Sequence, residues 1–69
     1  MGKKVRDRRI ELKMTQSELA KKVGISRVQI SNIERGINKN VRLATIKGLS
    51  TALGIPVDEF FYDDGVKFK

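Results

Sequence analysis

A short stretch of the sequence, from Ser26 to Arg35, carries side chains suited to recognising another macromolecule. In a helix each residue turns by about 100°, so Ile30, Ile33 and Ile37 fall within about 60° of one another and form a buried stripe. The opposite face presents Val28, Ser31, Asn32 and Arg35, with Arg27 at its N-terminal edge. Arginine bonds to guanine, asparagine bonds to adenine, and an aliphatic methyl group packs on the thymine methyl. A solvated helix face would normally carry stronger helix formers, so this pattern favours a DNA-reading helix over a plain surface helix.

The composition argues against catalysis. The 69 residues include no cysteine and no histidine, which removes thiol nucleophiles, cysteine zinc sites and the commonest general base. The acidic residues near the C-terminus are explained more simply as surface charge than as a catalytic cluster: Asp58, Glu59, Asp63 and Asp64. We therefore expect no enzyme activity, no metal or other cofactor, and no small-molecule ligand.

The net charge of +7 is concentrated in one part of the chain. Residues 1–39 contain eleven Lys and Arg against four acidic residues, a balance of +7, whereas residues 40–69 contain four of each. A basic side on a small domain suits nucleic acid or an anionic membrane surface, although many basic proteins are merely soluble. No apolar run approaches the roughly 20 residues of a membrane span, and no signal peptide opens the chain. A cytoplasmic location without a membrane partner is therefore expected.

Helical periodicity dominates the chain and predicts one compact all-α domain, 1–69, with five helices. The first helix is expected from Lys4 to Lys13, with Val5 and Leu12 buried. The fourth is expected from Leu43 to Leu53 and the fifth from Val57 to Tyr62, with a frayed tail at residues 63–69. The inward positions expected in the fourth helix are Leu43, Ile46, Leu49 and Leu53.

The middle of the chain carries clear signals for two helix boundaries. Thr15 and Glu18 have the spacing of a capping box at the start of a second helix, and Ser26 and Gln29 repeat that spacing at the start of a third. Gly24 is expected to end the second helix in the left-handed conformation. Two helices joined by so short a turn cross steeply and form a helix-turn-helix, expected over residues 15–36 and closed by Gly36. Ala20 is expected where the two backbones approach closely, and the shared apolar side chains are expected to be Leu19, Val23, Ile25, Ile30 and Ile33.

The segment TQSELAKKVGISRVQISNIERG, followed by LATIKGLSTALGIPVDEFF, resembles the Cro/repressor-type helix-turn-helix family, the lambda-repressor-like DNA-binding domains. The resemblance begins at about Val5 and covers nearly the whole chain. It implies a five-helix domain that binds a double-stranded DNA operator, usually as a two-fold homodimer, and controls transcription in bacteria or phages. The residues at the spacing of the family are Gln16, Leu19, Ala20, Val23, Gly24, Ile25, Ile30, Ile33, Glu34 and Gly36.

The resemblance also implies roles for individual residues. The base-reading positions are Arg27, Val28, Ser31 and Asn32; because many members carry glutamines in the reading positions where Arg27 and Val28 stand here, the target sequence cannot be transferred. Arg9 is implied to pair with Glu34 and to face the phosphates as well, and a purely structural ion pair is an equal alternative. The positions expected at the DNA backbone or groove rim are Arg9, Gln16, Ser26, Gln29, Arg35, Asn38, Lys39 and Asn40.

A repressor that occupies a two-fold operator is the leading interpretation, and two others remain open. One is the controller protein of a restriction–modification system, which shares this architecture. The other is an antitoxin-type module whose main partner is a protein. The last helix is more apolar than six residues can bury alone, so its side chains either pack against the fourth helix or form a dimer contact. The residues concerned are Val57, Phe60, Phe61 and Tyr62.

Overall fold

The computed structural model describes residues 1–37 and 41–62, with the backbone alone for Phe61 and Tyr62. The predicted all-α, five-helix architecture is confirmed, and no described residue lies in a strand. The helices are α1 Gly2–Glu11, α2 Gln16–Val23, α3 Arg27–Glu34, α4 Leu43–Leu53 and α5 Val57–Tyr62. None of them has the length and apolar composition that a membrane span requires.

Helix α1 begins and ends two residues earlier than predicted. It spans Gly2–Glu11, whereas the sequence pattern suggested residues 4–13. At its end the amide of Lys13 donates to the Ile10 carbonyl at 2.9 Å, and the amide of Met14 donates to the Arg9 carbonyl at 3.1 Å. This pair of bonds is the Schellman arrangement, which terminates a helix around one left-handed residue, here Lys13. Leu12 is consequently the C-cap and is exposed, so the prediction that it is buried was wrong.

One apolar core joins all five helices. Each side chain that it removes from water contributes on the order of 1.5–3 kcal/mol relative to an exposed position. Val23, Ile25 and Val57 are partly buried and pack against its edge. The buried residues are Val5, Leu19, Ala20, Ile30, Ile33, Ile46, Leu49, Leu53, Ile55 and Phe60.

Besides Leu12, two further residues predicted to be buried are exposed instead. Ile37 is 56% exposed, because α3 ends at Glu34 and the helical spacing cannot be extended across the turn at Gly36. Leu43 is also 56% exposed, and it is the first residue of α4. Both errors arise from applying helical periodicity at a helix end.

Helix α1 is attached to the rest of the domain on two sides. On one side Arg8 donates from Nε to the Leu53 carbonyl at 2.9 Å, which satisfies an acceptor in the last turn of α4. On the other side Arg9 reaches Glu34 in α3. Helix α1 therefore fixes the end of α3 relative to the end of α4.

Candidate nucleic-acid interface

Each of the two helices of the helix-turn-helix begins with a capping box, as predicted. The Thr15 hydroxyl accepts from the Glu18 amide at 3.0 Å, and the Thr15 amide donates to the Glu18 carboxylate at 2.8 Å. In α3 the Ser26 hydroxyl accepts from the Gln29 amide at 3.1 Å, and the Ser26 amide donates to Gln29 Oε1 at 3.0 Å. Between the two helices Gly24 is left-handed with φ 86°. These local bonds fix where α3 begins and in which direction it leaves the turn.

Helix α3 separates a buried face from an exposed one. Ile30 and Ile33 lie in the core, which prevents rotation of the helix about its axis. Arg27 and Val28 lie on the exposed side, and the Val28 side chain is 57% exposed. Ser31 and Asn32 follow one turn later and are half-buried. The four residues predicted to read bases therefore lie along one accessible stripe of α3.

An ion pair between α1 and α3 lies below this stripe. Arg9 donates from Nε to Glu34 Oε2 at 2.6 Å and from Nη2 to Glu34 Oε1 at 3.1 Å, so the pair is bidentate. The two side chains are only 13% and 3% exposed. The third Arg9 bond, from Nη1, goes to the Met14 carbonyl at 2.9 Å. The predicted Arg9–Glu34 pair is present, and most of the hydrogen-bonding capacity of the guanidinium is used within the domain.

Gln16 connects this ion pair to the exposed face. Its Nε2 donates to Glu34 Oε1 at 3.2 Å, and its Oε1 accepts from Arg27 Nη1 at 3.4 Å. Within the described residues no buried side-chain nitrogen or oxygen lacks a partner. The Gln16 amide is thus oriented by a buried carboxylate on one side and by an exposed arginine on the other, at the N-terminus of α2.

Gly2 supports α3 at a point that the sequence analysis missed. A Cβ atom placed on Gly2 would lie 2.4 Å from the Ile33 carbonyl oxygen and 2.8 Å from the Glu34 carbonyl oxygen. The first turn of α1 therefore rests directly on the last turn of α3. The available signal was a glycine that shares one helix face with Val5 and Arg9, at three and seven residues' distance.

The remaining predicted site residues are placed as follows. Gln29 and Arg35 are exposed, and Ser26 is exposed with its hydroxyl in the cap. Phe60 is 1% exposed and lies in the core of its own chain, which favours packing within the domain over a dimer contact for this residue. Val57 is half-buried at the edge of that core. The predictions for Asn38, Lys39 and Asn40, for the side chains of Phe61 and Tyr62, and for the tail from residue 63 lie outside the described residues.

Comparisons with known proteins agree with this architecture. A family model described as helix-turn-helix matches residues 5–60, which is most of the chain. The chain is 41% identical over 64 residues to the HTH-type transcriptional repressor RghR of Bacillus subtilis, covering 93% of this chain and 47% of that protein. It is 38% identical over 63 residues to an uncharacterized transcriptional regulator in the ATPase CF(0) region of Rhodospirillum rubrum, covering 91% of this chain and 57% of that protein. This chain thus spans about half the length of the curated relatives that it matches.

Proposed function

We propose that this chain, which belongs to the helix-turn-helix family, binds double-stranded DNA sequence-specifically and regulates transcription, as a repressor that occupies its operator. The observation that carries the proposal is the exposed stripe on α3, whose opposite face is fixed in the core. A helix held in this way can enter the major groove as a rigid body with its N-terminal residues directed at base edges. The name of the Bacillus subtilis relative supports repression rather than activation.

The side chains of the stripe match the groups that the major groove displays. Arg27 is suited to the two acceptors of guanine, Asn32 to the donor and acceptor of adenine, and Val28 to the thymine methyl. Ser31 can donate or accept. The stripe therefore offers one contact for each of several neighbouring base pairs, which is what sequence reading requires.

Backbone contacts supply affinity and register. Gln16 and Arg35 lie at the two ends of the helix-turn-helix, Gln16 at the N-terminus of α2 and Arg35 at the end of α3. A net charge of +7, carried by the first 39 residues, favours binding to phosphates along this side. Arg9 can contribute only the guanidinium N–H groups that its bonds to Glu34 and Met14 leave unused. The other proposed contacts to the DNA backbone or groove rim are Ser26, Gln29, Asn38, Lys39 and Asn40.

A homodimer on a two-fold operator is part of the proposal. Two copies of α3 would then occupy major grooves about 10 base pairs, or ~34 Å, apart. Selection of bound sites from random duplexes should return a palindromic consensus with that spacing. Inserting about five base pairs between the half-sites rotates them to opposite faces of the duplex, and undiminished affinity for that DNA would contradict the dimer.

Two arginines on the same helix provide a matched test of base reading. Arg27 is the first residue of α3 and Arg35 its C-cap; both are exposed, and either change to alanine removes the same charge. Arg27→Ala should reduce the preference for the selected site over random duplex by about 1–3 kcal/mol, roughly fivefold to 150-fold. Arg35→Ala should weaken binding to both duplexes equally. If Arg27→Ala also left the ratio unchanged, α3 would not be the reading helix.

The Gln16 side chain is a poorer control for this purpose. Its bonds to Glu34 and Arg27 mean that Gln16→Ala alters the support of the reading face as well as any phosphate contact. Affinity should therefore be measured by fluorescence anisotropy for Arg27→Ala, Asn32→Ala and Arg35→Ala at a fixed salt concentration. Circular dichroism of each variant would show that the helices are retained.

A further inference from the structure

The described helices end at left-handed residues in four places, and one of the four is not glycine. Gly24, Gly36 and Gly54 have φ values of 86°, 74° and 69°, whereas Lys13, after α1, has φ 57°. A left-handed backbone brings the Cβ atom of an L-residue close to the following carbonyl, and glycine avoids that strain. Lys13 is thus a strained residue at a position where the rest of the chain uses glycine.

Nothing in the local fold requires a side chain at this position. The two Schellman bonds at the end of α1 use the backbone amides of Lys13 and Met14 only. The Lys13 side chain is exposed, and no ion pair joins it to another residue within 1–37 or 41–62. A cation near the last carbonyls of α1 is favourable, but that effect is weak and screened by salt at an exposed site. The retained strain therefore points to a use for the ammonium group outside the domain.

The position of Lys13 indicates what that use is. It lies in the turn before α2, three residues ahead of Gln16 and therefore within about 11 Å of it along the backbone. Arg9, on the adjoining last turn of α1, has its guanidinium committed to Glu34 and Met14 and is largely covered. Arg8, the other arginine of that turn, is partly exposed but bonds to the Leu53 carbonyl and to the Glu11 carboxylate. Among the described residues of the last turn of α1 and the turn that follows, Lys13 is thus the cation whose charge is not bonded within the domain.

We propose that Lys13 binds a DNA phosphate on the strand faced by the N-terminus of α2, and that the chain keeps a strained lysine there for this contact. The inference rests on the proposed function, since it needs DNA against the helix-turn-helix. It adds a backbone contact from the turn between α1 and α2, so the footprint on the phosphates begins before the helix-turn-helix itself.

Two neutral substitutions separate the strain from the contact. Lys13→Gly removes the charge and the strain, while Lys13→Gln removes the charge and keeps the strain. Both should lower affinity for selected and random duplex by the same factor, about fivefold to tenfold per subunit near 0.1 M salt, and reduce the salt slope by about 0.9 per subunit. Lys13→Gly should nevertheless melt at a higher temperature than Lys13→Gln. Lys13→Arg should keep most of the affinity.

Lys47→Gln is the matched control, because it removes one exposed lysine charge from α4, a helix that carries none of the proposed DNA contacts. It should change affinity and salt slope much less than either Lys13 variant. Equal effects of Lys13→Gln and Lys47→Gln, with the unmodified protein still binding DNA steeply with salt, would overturn the Lys13 contact and leave the proposed function intact. Failure of the unmodified protein to bind any duplex would overturn both.

Discussion

The two ends of α3 are held in opposite ways. At the N-terminal end Ser26 and Gln29 bond to each other across three residues, and the side chains of Arg27 and Val28 are exposed. At the C-terminal end Glu34 is buried against Arg9, 25 residues away in sequence, and the last turn rests on Gly2. One end is positioned by its own local sequence, and the other by a distant helix.

The two ends of α3 should therefore contribute differently to stability and to binding. The distant contacts set the position of α3 in the domain, so their loss should damage stability. The local contacts set where the helix starts, so their loss should cost less. The exposed side chains of the first turn should contribute to binding and hardly at all to folding. Three substitutions test this ranking, from the largest expected effect to the smallest, and a fourth extends the comparison to the capping box of α2.

The largest effect is expected from Glu34→Ala. It leaves the Arg9 guanidinium covered and without its carboxylate, a loss of about 3–5 kcal/mol for a buried pair broken on one side. A chain of this length has a total stability of only about 3–10 kcal/mol, so the loss is a large fraction of the total and the variant should unfold at a much lower urea concentration than the unmodified chain. Urea denaturation followed by circular dichroism would measure the loss.

The control for Glu34→Ala is Glu59→Ala, which breaks the exposed Lys4–Glu59 pair at 3.5 Å and should cost about 1 kcal/mol or less. A double replacement, Arg9→Met with Glu34→Leu, should recover much of the stability, because it removes both charges together. Equal losses for Glu34→Ala and Glu59→Ala would show that the C-terminal end of α3 is not held by its buried pair.

The next effect is expected from Gly2→Ala. The added methyl meets two carbonyl oxygens of α3 at distances shorter than any relaxed contact, so α1 or α3 must shift, at about 1–3 kcal/mol. Lys3→Ala, at an exposed neighbouring position, should change the urea midpoint very little. If both variants denatured at the same urea concentration as the unmodified chain, the contact between α1 and the end of α3 would not be a tight one.

A smaller loss is expected from Ser26→Ala at the locally held end. It removes the hydroxyl that accepts from the Gln29 amide, and loss of an N-cap typically costs ~1 kcal/mol. Ser17→Ala provides the comparison, because Ser17 is an exposed serine inside α2 that does not cap it. Thermal melts of the two variants should differ by several degrees, with Ser26→Ala the less stable. A loss as large as that of Glu34→Ala would break the proposed ranking.

The smallest effect concerns the other capping box. The pKa of Glu18 is held below its ordinary value of 4.5 by hydrogen bonds to Thr15. The larger cause is the Thr15 amide, which donates to the Glu18 carboxylate, and the smaller is the Thr15 hydroxyl. A carboxyl group whose pKa is lower in the folded state stabilises the fold at any pH above its pKa in the unfolded state. That stabilisation is lost as the pH falls through the pKa of the folded state. Between about pH 7 and about pH 3 the unmodified chain should therefore lose more stability than Glu18→Gln, whose amide oxygen accepts the same bond at any pH. Identical losses would show that this box does not depend on the charge.

The contacts between residues close in sequence were predictable from the sequence, whereas part of the contacts between distant helices was not. Capping residues and turn glycines act within three or four residues, so Thr15, Ser26 and Gly24 revealed their roles directly. Gly2 acts through a contact with a carbonyl of a distant helix, and its importance depends on how α1 packs.

The candidate site was predictable to a similar extent. The stripe on α3 followed from helical spacing, because Ile30 and Ile33 fix which side faces the core. Gln16 was expected near a phosphate, but its bonds to Glu34 and Arg27 could not be predicted, since they require the relative placement of three helices. Helical spacing also gave a wrong prediction of burial for Ile37, because α3 ends before that residue.

The exposed first turn of α3 has a consequence for how such a protein changes over evolutionary time. Arg27 and Val28 contribute no side chain to the core, so substitutions there leave the free energy of unfolding nearly unchanged. If these side chains read bases as proposed, a new target sequence is accessible through single replacements that stay above the stability threshold for function. Because the opposite end of the helix is held by other residues, duplicated copies of this domain can diverge in the DNA that they read while they retain one fold.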